Sequence, residues 1–326
     1  MITRKVSAAL AAGCTVVIKP AAETPLSALA FAELAQRCGF PKGVINVVTT
    51  STHTKEVGEA LCSNPLVSKI SFTGSTNVGK LLMSISSGTI KKMSLELGGN
   101  APFMVFDDAD ILAAVEGLIS GKFRNAGQTC VCPNRVYVQK AIYEEFTSLL
   151  KTRVSKLKTG SGFDPQTDVG PLIHRKALEK VAGLVLDAVS KGATIVCGGK
   201  HAVVENMKGA FYAPTIITDL NSDMQLHDEE IFGPIIPIYT FDSEEEGLQL
   251  ANATRFGLAA YAYTRDIGRA FRVSEKMQSG MVAINSASVS TNCAPFGGVK
   301  ESGLGREGSK YGIGEYTEMK FISLSF

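Results

Sequence analysis

Cys130 is the residue best suited to covalent chemistry. It stands in Arg124-Asn125-Ala126-Gly127-Gln128-Thr129-Cys130-Val131-Cys132, a small, polar, glycine-containing stretch. A thiol at such a joint can face a cleft and act as a nucleophile once deprotonated. A cysteine can equally be a small buried hydrophobe, and the loop alone leaves both readings open. Glu96 is the second candidate, in Met93-Ser94-Leu95-Glu96-Leu97-Gly98-Gly99. Strand alternation puts Met93, Leu95 and Leu97 on one face, Ser94 and Glu96 on the other. A carboxylate at the carboxyl end of a parallel strand faces the crevice where such sheets bind ligands; a solvated strand end has the same pattern. The third candidate is the turn Phe72-Thr73-Gly74-Ser75-Thr76-Asn77-Val78-Gly79-Lys80-Leu81. Gly74, Gly79 and Lys80 have phosphate-loop spacing, but Leu81 stands where Ser or Thr must hold magnesium. That excludes a nucleoside triphosphate site. It leaves a diphosphate site at a helix start, or a purely structural turn.

These groups need rigid elements behind them. Ile111, Val115, Leu118 and Ile119 recur at helical spacing before Cys130, and Val136-Tyr137-Val138 reads as a strand after it. Earlier, strands at 15–19, 44–48, 67–73 and 91–97 alternate with helices near 24–39, 55–62 and 78–86. Thr24 and Pro25 open the first of these helices as N-cap and first-turn proline. The spacing predicts an α/β fold, with a parallel sheet covered on both faces. Beyond Gly98-Gly99, the candidate boundary, strands are expected at 103–106, 194–197, 212–217, 235–241, 258–263 and 281–285. Helices are expected near 141–156, 174–190, 243–253 and 267–278.

The totals bound the class. A chain of 326 residues, 45% hydrophobic and 20% charged, suits two globular domains. The net charge is +2, with no basic tract, so nucleic acid is not an expected partner. No apolar run reaches membrane-spanning length. The 7 cysteines are odd in number and scattered, which fits a reducing compartment rather than a disulfide framework. Cys130 and Cys132 have no second close Cys/His pair beside them, so no metal site is expected. In an extended segment residues 130 and 132 would face one side. Cys132 is therefore a candidate redox partner, whose strained disulfide with Cys130 would block the nucleophile reversibly.

Five segments together resemble the aldehyde dehydrogenase superfamily in order and spacing. They are Phe72-Thr73-Gly74-Ser75-Thr76-x-x-Gly79, Leu95-Glu96-Leu97-Gly98-Gly99, Gly127-Gln128-x-Cys130, Glu229-Glu230-Ile231-Phe232-Gly233-Pro234 and Pro295-Phe296-Gly297-Gly298 through Glu307. Phe123-Arg124-Asn125 and Gly308-Ser309-Lys310-Tyr311-Gly312 look like the succinate-semialdehyde dehydrogenase group. The resemblance implies an aldehyde dehydrogenase-like fold. An incomplete Rossmann-type cofactor domain would span 1–97, an α/β catalytic domain 98–301, and a return segment with an oligomerisation strand 302–326.

The same resemblance implies roles. Cys130 attacks the aldehyde, and Glu96 activates the water that hydrolyses the resulting thioester. NAD or NADP is the implied cofactor, held by Lys19, Ala22, Gly74, Ser75, Thr76, Gly79, Leu97, Glu230 and Phe232. Ala22 stands where relatives preferring NAD often carry Glu, which keeps NADP open. Arg124, Ser290 and Phe296 would bind the substrate, a small aldehyde with a distal carboxylate; Arg124 would grip that carboxylate. Succinate semialdehyde, an intermediate in 4-aminobutyrate breakdown, is the expected substrate. Another aldehyde or semialdehyde dehydrogenase is the nearest alternative. The resemblance further implies a homodimer or homotetramer, in the cytoplasm or mitochondrial matrix. The family's oxyanion-hole asparagine would lie upstream of Met1, so an inactive fragment is a third expectation.

Overall fold

A computed structural model describes residues 1–326, and the chain in it divides into two compact units. Unit one comprises Met1–Leu97, Ser290–Gly297 and Gly303–Phe326; unit two comprises Gly98–Val289 and Gly298–Ser302. Ser290 and Phe296 thus belong to the unit that holds Glu96, which a single boundary at Gly98 does not convey.

Unit one begins with α1 (Ile2–Ala11), β1 (Val16–Ile18), α2 (Leu26–Arg37) and β2 (Ile45–Val47). Then come α3 (Thr54–Ser63), β3 (Lys69–Thr73), α4 (Thr76–Ser86) and β4 (Lys92–Glu96). Unit two follows with β5 (Ala101–Val105), α5 (Ile111–Phe123), β6 (Pro133–Gln139), α6 (Tyr143–Val154), α7 (Arg175–Ser190), β7 (Thr194–Cys197) and β8 (Thr215–Thr218). It continues with α8 (Gln225–Asp228), β9 (Ile235–Phe241), α9 (Glu244–Asn252), β10 (Phe256–Gly257), β11 (Ala259–Tyr263), α10 (Ile267–Lys276), β12 (Met281–Ile284) and β13 (Val299–Lys300). The chain re-enters unit one as β14 (Gly303–Leu304).

The first half does not build one continuous ladder. β1 pairs in parallel with β2 alone, while β4 lies between parallel β3 and antiparallel β14. Val6 of α1, Ile18 and Ala28 of α2 form the small core over the first pair. The start of α2 also differs from expectation. No side chain caps it; the carbonyl of Pro25 instead accepts the N–H groups of Ala28 (3.1 Å) and Leu29 (3.2 Å). The proline ring already holds helical φ, so the Thr24 hydroxyl is not needed as a cap.

Unit two is built on a sheet of order β12-β11-β5-β6-β9-β8-β7, parallel except for β7. Every residue of β5 and β11 is buried. A strand covered on both faces reads as an unbroken apolar run, as these do. Phe106 packs edge-on against Phe241 at 5.4 Å within a core that includes Met104, Tyr137, Leu248 and Val273. Burying each such side chain contributes about 1.5–3 kcal/mol. Arg135 on β6 is fully buried, and its guanidinium is held by neutral oxygens. It donates to Asn100 O (3.1 Å), Leu250 O (2.9 Å), Ala251 O (2.8 Å) and Tyr137 Oη (2.9 Å). Next to it, Asn134 Nδ2 donates to Asn100 Oδ1 (2.7 Å) and Glu229 O (3.1 Å), while its Oδ1 accepts from Ile231 N–H (3.3 Å). That lattice fixes the segment carrying Glu230.

Candidate active site

The thiol of unit two sits beyond an unusual bend. After α5, Asn125 (φ 53), Ala126 (φ 55) and Gly127 (φ 77) are left-handed in succession. Non-glycine residues rarely adopt that conformation. A Cβ at Gly127 would collide with the Gly233 carbonyl, so glycine is required there. Thr129 to Cys132 then closes as a turn, with Cys132 N–H donating to Thr129 O at 3.1 Å. This corrects the expected extended segment. The back-bonded turn, followed directly by Pro133 of β6, removes the alternation that would have aligned Cys130 with Cys132. Tyr261 Oη donates to Val131 O at 2.6 Å and anchors the turn. A Cβ at Gly99 would strike the Cys130 carbonyl, so glycine is required at that position.

The two thiols differ in setting. Cys130 is half-buried, whereas Cys132 is 5% exposed. Burial pushes the Cys132 thiol up, and Lys122 beside it opposes that shift. Lys122 itself is fully buried on α5, with no hydrogen-bond partner for Nζ. Burial pushes its pKa down. Arg124 is exposed at the end of α5.

The remaining unit-two residues of interest lie just before β9. Glu230 Oε1 accepts the Gly99 N–H at 2.9 Å, and Lys180 Nζ of α7 donates to the Glu230 carbonyl at 2.6 Å. Burial raises the Glu230 carboxyl, while the Gly99 N–H and Lys180 oppose the rise. Phe232 is left-handed (φ 53) and 39% exposed, next to fully buried Ile231. A non-glycine residue keeps this conformation only where its surroundings over-determine it.

Unit one carries the carboxylate. Glu96 ends β4, paired with Thr73 and Gly303 on its two sides, and is only 4% exposed. Neither carboxylate oxygen has a hydrogen-bond partner. Burial first, and then the Glu307 carboxylate, push its pKa up to about 8; Lys5, Arg306 and Arg4 pull the other way. Lys5 Nζ bonds Thr73 Oγ1 at 2.6 Å and forms an ion pair with Glu307. A Cβ at Gly297 would sit 2.8 Å from the buried Glu96 Oε1, so only glycine fits beside that oxygen.

Ser290 and Phe296 meet a residue that sequence reasoning missed. Arg4 Nη2 donates to Ser290 Oγ at 2.7 Å, and the guanidinium lies 4.4 Å from the Phe296 ring centre. Arg4 Nη1 is buried without a partner. Lys5 and Glu307 were missed as well. Glu307 lies inside a quoted motif, but nothing in that motif signals that it opposes Lys5 across the chain.

The expected cofactor residues of unit one fall in two places. A cavity of about 310 Å³ is lined by Pro20, Ala21, Ala22, Pro25, Thr49, Thr50 and Ser51. Lys19 stands just before it, with Nζ on the Pro20 carbonyl at 2.6 Å. The cavity's lining residues include Thr49, Thr50 and Ser51 and no carboxylate. The second place is the start of α4. Ser75 Oγ accepts Val78 N–H at 3.4 Å, Thr76 is buried, and a Cβ at Gly79 would run into Leu97, 2.5 Å from one methyl. Gly79 and Leu97 therefore set how closely α4 approaches β4. The Gly74 N–H is already committed to the Glu96 carbonyl at 3.1 Å. An N-terminus of this kind suits a diphosphate. No cluster of three His, Cys, Asp or Glu side chains could hold a metal ion.

The fold is mixed α/β; unit two holds a turn-bound thiol, and unit one holds a buried carboxylate of raised pKa and a helix start suited to phosphate. The aldehyde dehydrogenase family profile matches residues 1–322, and the chain belongs to that family. It is 55% identical over 324 residues to succinate-semialdehyde dehydrogenase [NADP(+)] of Escherichia coli, covering 99% of this chain and 66% of that protein. It is 54% identical over 325 residues to 3-sulfolactaldehyde dehydrogenase of Pseudomonas putida, covering 99% and 66%. The crystal structure of succinate-semialdehyde dehydrogenase from Burkholderia pseudomallei superposes with a TM-score of 0.94 at 55% identity, covering 97% of this chain and 64% of that one. The chain thus spans about two thirds of the length of the proteins it matches.

Proposed function

We propose that this chain contributes to NAD- or NADP-dependent oxidation of an aldehyde bearing a distal anion, with succinate semialdehyde as the foremost substrate. One observation carries the anion preference. Arg4 presents a buried, unpartnered Nη1 beside the Ser290 hydroxyl, over the Phe296 ring. A guanidinium with an unused N–H and a neighbouring hydroxyl matches a carboxylate. Arg124, exposed and six positions before the nucleophile, is the second candidate for that role.

In this reading the Cys130 thiolate adds to the aldehyde carbon, and the oxidised adduct is a thioester on Cys130. Glu96 takes a proton from the water that hydrolyses it. Its raised pKa makes it a stronger base once ionised, and Lys5 partly offsets the adjacent Glu307 charge that opposes ionisation. When bound, NAD or NADP supplies the two-electron acceptor. The cavity beside Ala22 and the start of α4 would hold its adenosine and diphosphate ends, and Glu230 its second ribose. Relatives' names support the substrate class: one acts on succinate semialdehyde and one on 3-sulfolactaldehyde, both aldehydes with a distal anion. A sulfonate would suit the same guanidinium, so 3-sulfolactaldehyde is the second reading. A homodimer or homotetramer, in the cytoplasm or the mitochondrial matrix, completes the proposal. No helix is long and apolar enough to cross a membrane.

The test is a substrate comparison. Arg4→Leu and Arg124→Leu should each raise KM for succinate semialdehyde by roughly tenfold or more, the scale of a lost charged hydrogen bond. A neutral aldehyde of similar length should be nearly unaffected. Equal losses on both substrates would reduce either arginine to a structural role. A higher kcat/KM for 3-sulfolactaldehyde would favour the second reading.

A further inference from the structure

We infer that Gln128 is a positioning residue: it registers the Cys130 turn against the Glu230–Pro234 segment through the head of α7. This rests on the reading of Cys130 as nucleophile. The Gln128 amide uses both ends, bonding back to its own turn and across to the chain before α7. Nε2 donates to Asn125 O at 3.0 Å and to Pro171 O at 3.3 Å, and Oε1 accepts from Ile173 N–H at 2.8 Å. Asn125 Nδ2 returns a bond to Gln128 O at 3.1 Å. The first bond braces the left-handed residues Asn125 and Ala126, a conformation that persists only where its surroundings over-determine it.

The other two bonds reach the chain entering α7. That helix is capped by its own His174, whose Nδ1 accepts Ala177 N–H at 3.0 Å. Two turns on, α7 grips the segment before β9. Lys180 Nζ holds the Glu230 carbonyl at 2.6 Å, and Val181 packs so closely on Gly233 that a Cβ there would clash. Gly233 in turn presses its carbonyl on Gly127. The contacts close a ring: Gln128, Ile173, α7, Gly233, Gly127. A primary amide is the one side chain that offers two N–H donors and a carbonyl acceptor together, which is what this position uses.

Two variants of this chain test the role. Gln128→Glu keeps shape and acceptor but loses both donors; Gln128→Met keeps length and loses everything. The readouts are kcat and KM with succinate semialdehyde, the rate of Cys130 alkylation by iodoacetamide, and the melting temperature. Both variants should lower kcat by roughly tenfold to a hundredfold, the scale of a small misplacement of reacting groups, and slow alkylation. In Gln128→Glu, activity relative to wild type should recover as pH falls, because a protonated carboxyl regains one donor. Gln128→Met should show no such recovery. An unchanged alkylation rate, a flat pH ratio in Gln128→Glu, or variants that do not fold would overturn the assignment. Alkylation needs no aldehyde. If wild type ignores succinate semialdehyde while the variants still lose thiol reactivity, the substrate reading fails and the positioning role stands.

Discussion

In the proposed reaction, the burial of Glu96 sets the pH profile. Its pKa is raised from the usual 4.5 to about 8, so at neutral pH the base is mostly protonated. Hydrolysis of the acyl-enzyme should therefore speed up as pH rises through about 8. Glu96→Gln should abolish that rise and let acyl-enzyme accumulate, visible by intact-mass spectrometry; a flat wild-type profile would exclude Glu96 as the base. The stability sign runs opposite to the common carboxylate case. The folded protein binds this proton more tightly than the unfolded chain, so its contribution is present at low pH and is lost as pH climbs from about 4.5 to about 8. Ala22 carries a second residue-scale expectation. The chain should use NADP, and Ala22→Glu should shift kcat/KM toward NAD by repelling a 2′-phosphate; outright rejection of NADP by wild type would defeat it. Cys130 and Glu96 stood out as candidates in the sequence because short motifs surround them. Arg4 was not, since its partner Ser290 lies 286 positions away and nothing local announces the meeting.

Among elements, α5 and the bend after it hold the main surprises. Helical periodicity announced α5 plainly, yet it could not show that Lys122 points inward. A fully buried lysine with no oxygen to accept from its ammonium, only the Cys132 thiol beside it, is a liability to the fold. Lys122→Met should raise stability by about 1–3 kcal/mol, read as a higher melting temperature. Burial holds the folded Lys122 below its usual 10.5, so the unfolded chain binds the extra proton and wild type gains stability as pH rises. The variant should lack that gain. A lower melting temperature would instead mean that the Cys132 thiol and Lys122 form a stabilising pair. The Thr129–Cys132 turn escaped sequence reasoning because alternation assumes an extended chain, and one backbone hydrogen bond cancels it. Cys132 remains a proposed redox partner, but only through rearrangement of that turn.

On the scale of the molecule, alternating strands and helices announced the α/β class, and the order β12-β11-β5-β6-β9-β8-β7 lay beyond reach. Periodicity marks a strand's faces, not its neighbours. The final stretch leaves Met319, Phe321, Ile322, Leu324 and Phe326 exposed. Apolar side chains gathered in one exposed segment suit the association surface of the proposed homo-oligomer. Removing residues 317–326 should lower the assembled mass in light scattering, and an unchanged mass would assign assembly elsewhere. The strand order has another consequence, which concerns synthesis on the ribosome. β4 waits for β14, and β5 waits for β11, so both early strands leave the ribosome with an open edge. Glu96 acquires its second neighbour only after Gly303 has been made. During that interval the nascent chain presents unpaired backbone and apolar strand faces, the condition under which chains associate wrongly. Production of this protein should therefore depend on chaperones that shield nascent chains more than on the stability of the finished fold.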